Sequence, residues 1–168
     1  LFILTTDADG GIPVQFRTAD GQTNDSITHI ETWTTLRTVA GRADFLYVAD
    51  SKLCSHDNLR FIDRAGGRFV TVLPRSRRED KHFRHWLQTN TPAWELVWDR
   101  ASVRRPEGPR DVWSVYREPV GSAEGFTLTW VWSTLLTLRQ QARRHRNITA
   151  ATEALTALRR RVVGPRSR

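Results

Sequence analysis

Between Asp44 and Lys52 the chain reads Asp-Phe-Leu-Tyr-Val-Ala-Asp-Ser-Lys, and no other stretch restricts the fold as much. Phe45 to Ala49 form a short run too apolar to show one face to water, which predicts a strand covered on both faces in an α/β sheet. The run ends in an acid. In open α/β sheets ligands bind outside the carboxyl ends of the strands, so Asp50 stands where chemistry would be placed. It could hold a metal ion, act as a base, or cap the turn that follows.

The flanking elements set this strand in context. Leu1 to Thr6 is β-prone, Asp9-Gly10-Gly11 is a turn, and Ile12 to Thr18 alternates, with Val14 and Phe16 expected inward and Gln15 and Arg17 outward. Together they predict a hairpin. Polar capping material at Thr23 to Ser26 precedes a helix from Ile27 to Val39, whose face is set by Ile27, Ile30, Trp33 (or Thr34) and Leu36, with Gly41 past its end. After the central strand come a short helix capped by Ser55 and ended by Gly66-Gly67, and a strand from Arg68 to Leu73 stopped by Pro74. A hairpin, a helix, and two strands joined by a crossover helix predict one mixed sheet.

The texture changes after Pro74. Arg75 to Gln88 is charged and helical, with Phe83, Trp86 and Leu87 on one face. Candidate strands follow at Trp94–Trp98, Val112–Arg117 and Phe126–Ser133, joined by polar, Pro- and Gly-rich connectors such as Arg104 to Arg110. They predict a small antiparallel β unit. Leu135 to Val163 is helical, and Ile148, Ala151, Leu155, Leu158 and Val162 step by three and four along it. That spacing suits a coiled-coil hairpin or a surface helix ended by Gly164-Pro165.

Charge is uneven. The net +8 lies wholly in residues 134–168, which hold nine Arg against Glu153, whereas residues 1–133 balance 17 Lys and Arg against 17 acids. Arg139, Arg143, Arg144 and Arg146 form one cluster, and Arg159, Arg160 and Arg161 with Arg166 and Arg168 a second. Such asymmetry points to a polyanion, most often nucleic acid; a solvated basic helix is the plainer alternative. No run of 18 apolar residues predicts a membrane span. The single cysteine, Cys54, cannot form an internal disulfide, which fits a reducing cytoplasm. The chain has no methionine and opens within an apolar run, features expected of an internal piece of a longer protein.

Four stretches carry a family resemblance: Gly11-Ile-Pro13-Val14; Asp20-Gly-Gln-Thr23-Asn-Asp25-Ser26; Phe45-Leu-Tyr-Val-Ala-Asp50-Ser51; and Gly66-Gly-Arg-Phe-Val-Thr-Val-Leu73. As an ordered set they resemble a DDE transposase of bacterial insertion sequences, in the group whose RNase-H-like core carries a β-rich insertion. Gln22 stands where Asn is commoner in that group. The likeness covers residues 1–75 well and the segment to Ser133 in character only, and the basic tail resembles the Arg-rich helices of some members. It implies an incomplete RNase-H-like mixed sheet over 1–75, an antiparallel β insertion over 76–133 and an Arg-rich C-terminal helical segment over 134–168.

The resemblance implies that Asp50 is the second catalytic carboxylate and a Mg²⁺ ligand. Strand cleavage and transfer use two Mg²⁺ ions about 3.5–4 Å apart, held by carboxylates on rigid elements. The implied partner is DNA, contacted by Arg139, Arg143, Arg144, Arg146, Arg159, Arg160 and Arg161. Self-association of the full-length protein and a cytoplasmic, nucleoid-associated location are implied as well. The family's first Asp lies on a strand before Leu1, and its Glu on a later helix, after Tyr and Arg at helical spacing. Tyr116-Arg117-Glu118 has these residue types but contiguously, with Pro119 next, so they cannot share a helix face. Glu153 lacks the Tyr and Arg. One carboxylate of three is therefore present, and the isolated chain is expected to be inactive.

Other candidates carry less. Asp20 and Asp25 read as turn residues. His82 and His85 lack a third ligand. No base accompanies Cys54. Trp86, Trp94, Trp98, Trp113, Trp130 and Trp132 could stack on bases, although Trp130 and Trp132, at alternate strand positions, suit a core. Two further readings stay open: a non-catalytic nucleic-acid-binding α/β module acting through the tail, and a phosphotransfer enzyme with Asp50 as nucleophile.

Overall fold

The computed structural model describes residues 2–101 and 106–163. They form a mixed α/β protein with four helices and three small sheets, divided into two compact units that meet at Asn90 and Thr91. No helix among the described residues is long and apolar enough to cross a membrane.

The first unit begins with the expected hairpin: β1 (Phe2–Thr6) pairs antiparallel with β2 (Pro13–Thr18), with Leu4 opposite Phe16. Its turn uses positive φ at Gly10 and Gly11, a conformation that only glycine adopts without strain. Helix α1 (Asp25–Ala40) starts at Asn24, whose side chain accepts the Ser26 N–H, and ends at Gly41 in the left-handed region. Strand β3 (Leu46–Ala49) runs parallel to β4 (Arg68–Thr71), joined by α2 (His56–Arg64) with Ser55 as cap. Helix α3 (Arg78–Trp86) follows and buries Phe83.

The core lies under α1 and α2. Trp33, Leu53 and Ile62 are fully buried, joined by Leu59, Leu36 and Tyr47. Trp33 stacks on Phe45 and meets Phe61 edge-on, with ring centroids 5.9 and 6.0 Å away. Asn58, also buried, donates to the Ser26 carbonyl at 2.7 Å and ties α2 to the start of α1.

Four expectations need correction. Residues 45–49 are not covered on both faces: Tyr47 is buried, but Leu46 and Val48 are 49% and 64% exposed. In β2 the faces are reversed, with Gln15 and Arg17 turned inward and Phe16 exposed. The reason lies on α1, where Glu31 forms an ion pair with Arg17 at 2.5 Å and draws the polar side of the strand inward. Helix α1 buries Thr28, Thr32, Trp33 and Leu36 rather than Ile27, which is left exposed. Thr28 tolerates burial because its hydroxyl donates to the Asp25 carbonyl at 2.8 Å. Finally, the antiparallel and parallel pairs remain separate sheets instead of one mixed sheet.

The second unit is an antiparallel sheet in the order β5 (Glu95–Arg100), β6 (Asp111–Arg117), β7 (Thr129–Ser133), followed by α4 (Thr134–Val163). β5 is an edge exposed along its whole length, and its ion pairs Asp99–Arg110 and Glu95–Arg117 reach across the sheet. Charges of this kind discourage edge-to-edge pairing. Thr134 anchors the start of α4: its hydroxyl accepts the Val112 N–H at 2.7 Å and lies 3.0 Å from the Arg110 carbonyl. From Arg139 to Arg161 every residue of α4 is exposed, so it is one continuous surface helix and not a hairpin. The expected stop at Gly164-Pro165 lies outside the described residues.

Candidate functional site

Asp50 follows the last residue of β3, at the carboxyl end of the strand, as expected. Its position is held by backbone. The Thr71 hydroxyl donates to the Asp50 carbonyl at 2.6 Å, fastening the strand end to β4, and the Leu53 N–H donates to the same carbonyl. Carboxylate oxygen Oδ1 accepts the Lys52 N–H at 2.9 Å, the turn-capping bond of an Asp that opens a turn. No hydrogen bond among the described residues engages Oδ2, and the side chain is exposed.

Asp50 borders a cleft of about 390 Å³. One wall is β1 from Phe2 to Thr6, the other is β3 and its end from Tyr47 to Asp50, and α1 closes one side with Asp25, Thr28 and His29. His29 Nδ1 lies 3.0 Å from the Tyr47 hydroxyl, and their rings meet edge to face. Burial lowers the His29 pKa below its ordinary 6.5, although the charges of Asp50 and then Asp25 oppose the shift. The imidazole is therefore neutral at pH 7. Burial, aided by the Asp50 charge, pushes the Tyr47 phenol up to about 12, so it too is neutral and can donate a hydrogen bond. The site thus pairs two carboxylates with a neutral His–Tyr dyad.

Could these residues hold a metal? Mg²⁺ keeps several waters and binds through one or two carboxylates, which the rigidly placed Asp50 and its uncommitted Oδ2 suit. Among the described residues, however, no group of three or more His, Cys, Asp or Glu is arranged to hold an ion. The donor set fits one hydrated ion at Asp50 and falls short of a two-ion centre.

The other candidates fall as follows. Arg139, Arg143, Arg144, Arg146, Arg159, Arg160 and Arg161 are all on α4 and all exposed. Arg139, Arg143 and Arg146 follow at steps of four and three, and Arg160 and Arg161 fall on the same side near the other end of the helix, whereas Arg144 and Arg159 lie on the opposite side. Arg166 and Arg168 lie outside the described residues. Tyr116 and Arg117 are on a strand, and Arg117 pairs with Glu95. Trp132 is 38% exposed, and Trp98, Trp113 and Trp94 are open as well. The Trp130 indole is instead committed to Glu118, at 2.6 Å.

Sequence reasoning missed His29 and Tyr47 as a pair. They stand 18 positions apart on different elements, and no spacing rule links them. No protein-family profile, curated protein or solved structure matches the chain.

Proposed function

We propose that this chain is part of a DDE-type DNA transposase, whose complete form cuts and joins DNA strands at insertion-sequence ends. The observation that supports it most is the placement of Asp50. An acid at the carboxyl end of a parallel strand, anchored by Thr71 and bordering a cleft, is what a carboxylate ligand for Mg²⁺ requires. The ordered motifs from Gly11 to Leu73 add to it, and the first unit would be an incomplete RNase-H-like core. When bound, Mg²⁺ would activate the attacking oxygen and stabilise the leaving one. Asp50 would hold the ion, the neutral Tyr47 and His29 would line the cleft without adding charge, and the α4 arginines would contact the phosphate backbone.

In the complete transposase, Asp50→Ala should reduce strand cleavage by a factor of at least about 10² while DNA affinity stays within about twofold. Undiminished cleavage would remove Asp50 from the chemistry.

A second reading is favoured by the absence, among the described residues, of any group of three metal ligands. In it the chain is a nucleic-acid-binding α/β module that acts through α4 alone. Cleavage that never depends on Asp50, combined with DNA binding that depends on the α4 arginines, would select it.

A further inference from the structure

We propose that the groove between α1 and α2 docks an acidic amphipathic helix of a partner protein, which seats an apolar side chain against Ile30 and Phe61 and sets its carboxylates against Arg60 and Arg64. None of the groove's residues lines the Asp50 cleft, and the inference does not rest on the transposase reading.

The groove has a volume of about 490 Å³, within the range of pockets that hold a ligand. Helix α2 supplies two parallel rows of side chains to it. His56, Arg60 and Arg64 follow at steps of four, and so do Asp57, Phe61 and Ala65. Each row runs about 12 Å along the helix. The first row carries two guanidinium groups, and the second is apolar after Asp57. Ile30 of α1 forms the facing wall, and Ile27, one turn earlier on the same side of α1, continues it and is exposed. The Phe61 ring stands edge-on to the buried Trp33, so it is in position before anything binds.

Charge selects the occupant. Arg17, Arg42, Arg77 and Arg84 of the first unit each pair with an acid. The guanidinium groups of Arg60 and Arg64 have no ion-pair or hydrogen-bond partner among the described residues, although Asp57 stands on the same helix. Two such groups one turn apart match carboxylates one turn apart, and each Arg fork can engage a carboxylate through two N–H groups. A basic row beside an apolar row is the complement of an acidic row beside an apolar row, which is the surface an acidic amphipathic helix presents. A phosphate backbone would answer the arginines but leave Ile30, Phe61 and Ala65 uncovered. Asp57, in the first turn of α2, favours a basic residue at that end of the incoming helix and so sets its direction.

The test uses the full chain and a synthetic Ala-based helical peptide of about 15 residues, with two Leu one turn apart and Glu along the adjacent row. Fluorescence anisotropy of the labelled peptide gives the affinity, and amide chemical shifts give the place of binding. The shifts should centre on α2 and on α1 around Ile30. Arg60→Glu with Arg64→Glu should weaken binding by at least about tenfold, and a peptide with Lys in place of Glu should recover it on that variant. Gln in place of the peptide's Glu tests the same charges on the unaltered chain and should weaken binding as much. Ala in place of both Leu should do so too. Shifts confined to α4, an affinity indifferent to the charge changes or to the loss of Leu, or displacement of the peptide from α2 by duplex DNA would each overturn the proposal. Strand cleavage is not measured, so this outcome and that of Asp50→Ala are independent.

Discussion

His29 is neutral in the folded chain because burial outweighs the two carboxylates near it. Its folded pKa lies below 6.5, so as pH falls through 6.5 the unfolded chain takes up a proton that the native one refuses. The native state therefore loses stability on acidification. His29→Gln should flatten that part of the pH dependence, as read from urea midpoints at about pH 7.5 and about pH 5.5. Tyr47 acts at the other end of the scale. With a native pKa of about 12 against an ordinary 10, its contribution is present below pH 10 and lost between 10 and about 12. Gly67 makes a purely steric demand. A Cβ there would lie 2.6 Å from Ile62 Cγ2 and 2.7 Å from Trp33 Cζ2, both in the fully buried core. Gly67→Ala should cost about 1–3 kcal/mol through overpacking, and an unchanged unfolding midpoint would mean that the core yields there more easily than its packing suggests.

At the level of elements, α4 concentrates charge on one side without reserving the other for apolar residues. Arg139, Arg143, Arg146 and Arg161 share one side, and Ile148, Leu155 and Leu158 fall on the other together with Arg144 and Arg159, all exposed. If the basic side lies along a phosphate backbone, replacing Arg139, Arg143 and Arg146 by Gln should weaken binding to unrelated DNA sequences equally. It should also reduce the salt slope by about 1 for each phosphate that the helix no longer neutralises. A changed sequence preference with the same slope would argue against backbone binding. The boundaries of α1 and α2 were legible in advance because caps are local: Asn24, Gly41 and Ser55 each satisfy backbone groups within a few residues. The buried face of α1 was not. Thr28 and Thr32 displace Ile27 because the face is chosen by what packs on it, and Arg17 meeting Glu31 is a pairing that periodicity does not contain.

Across the first unit, both sheets turn one side toward α1 and leave the other open. Arg17 and Tyr47 reach α1, while Phe2, Leu4, Phe16, Leu46, Val48 and Val70 lie on the opposite sides, 49% to 71% exposed. An apolar surface of that extent marks an interaction site or a tendency to associate. The isolated chain is expected to self-associate with rising concentration, measured by sedimentation velocity, and Phe16→Lys with Val48→Lys should suppress it. Concentration-independent sedimentation of the unaltered chain would show that this surface is inert.

Local chemistry in the sequence was enough to place most elements, the strand-end acid Asp50, and the charge gathered on the C-terminal helix, because caps, turns, short apolar runs and charge clusters act within a few residues. Only the tertiary structure decided which side of each strand is buried and that the two strand pairs stay apart. It alone brought His29, Tyr47, Asp25 and Asp50 around one cleft. Those outcomes depend on interactions between residues far apart in the chain, where the partner and not the spacing determines the result.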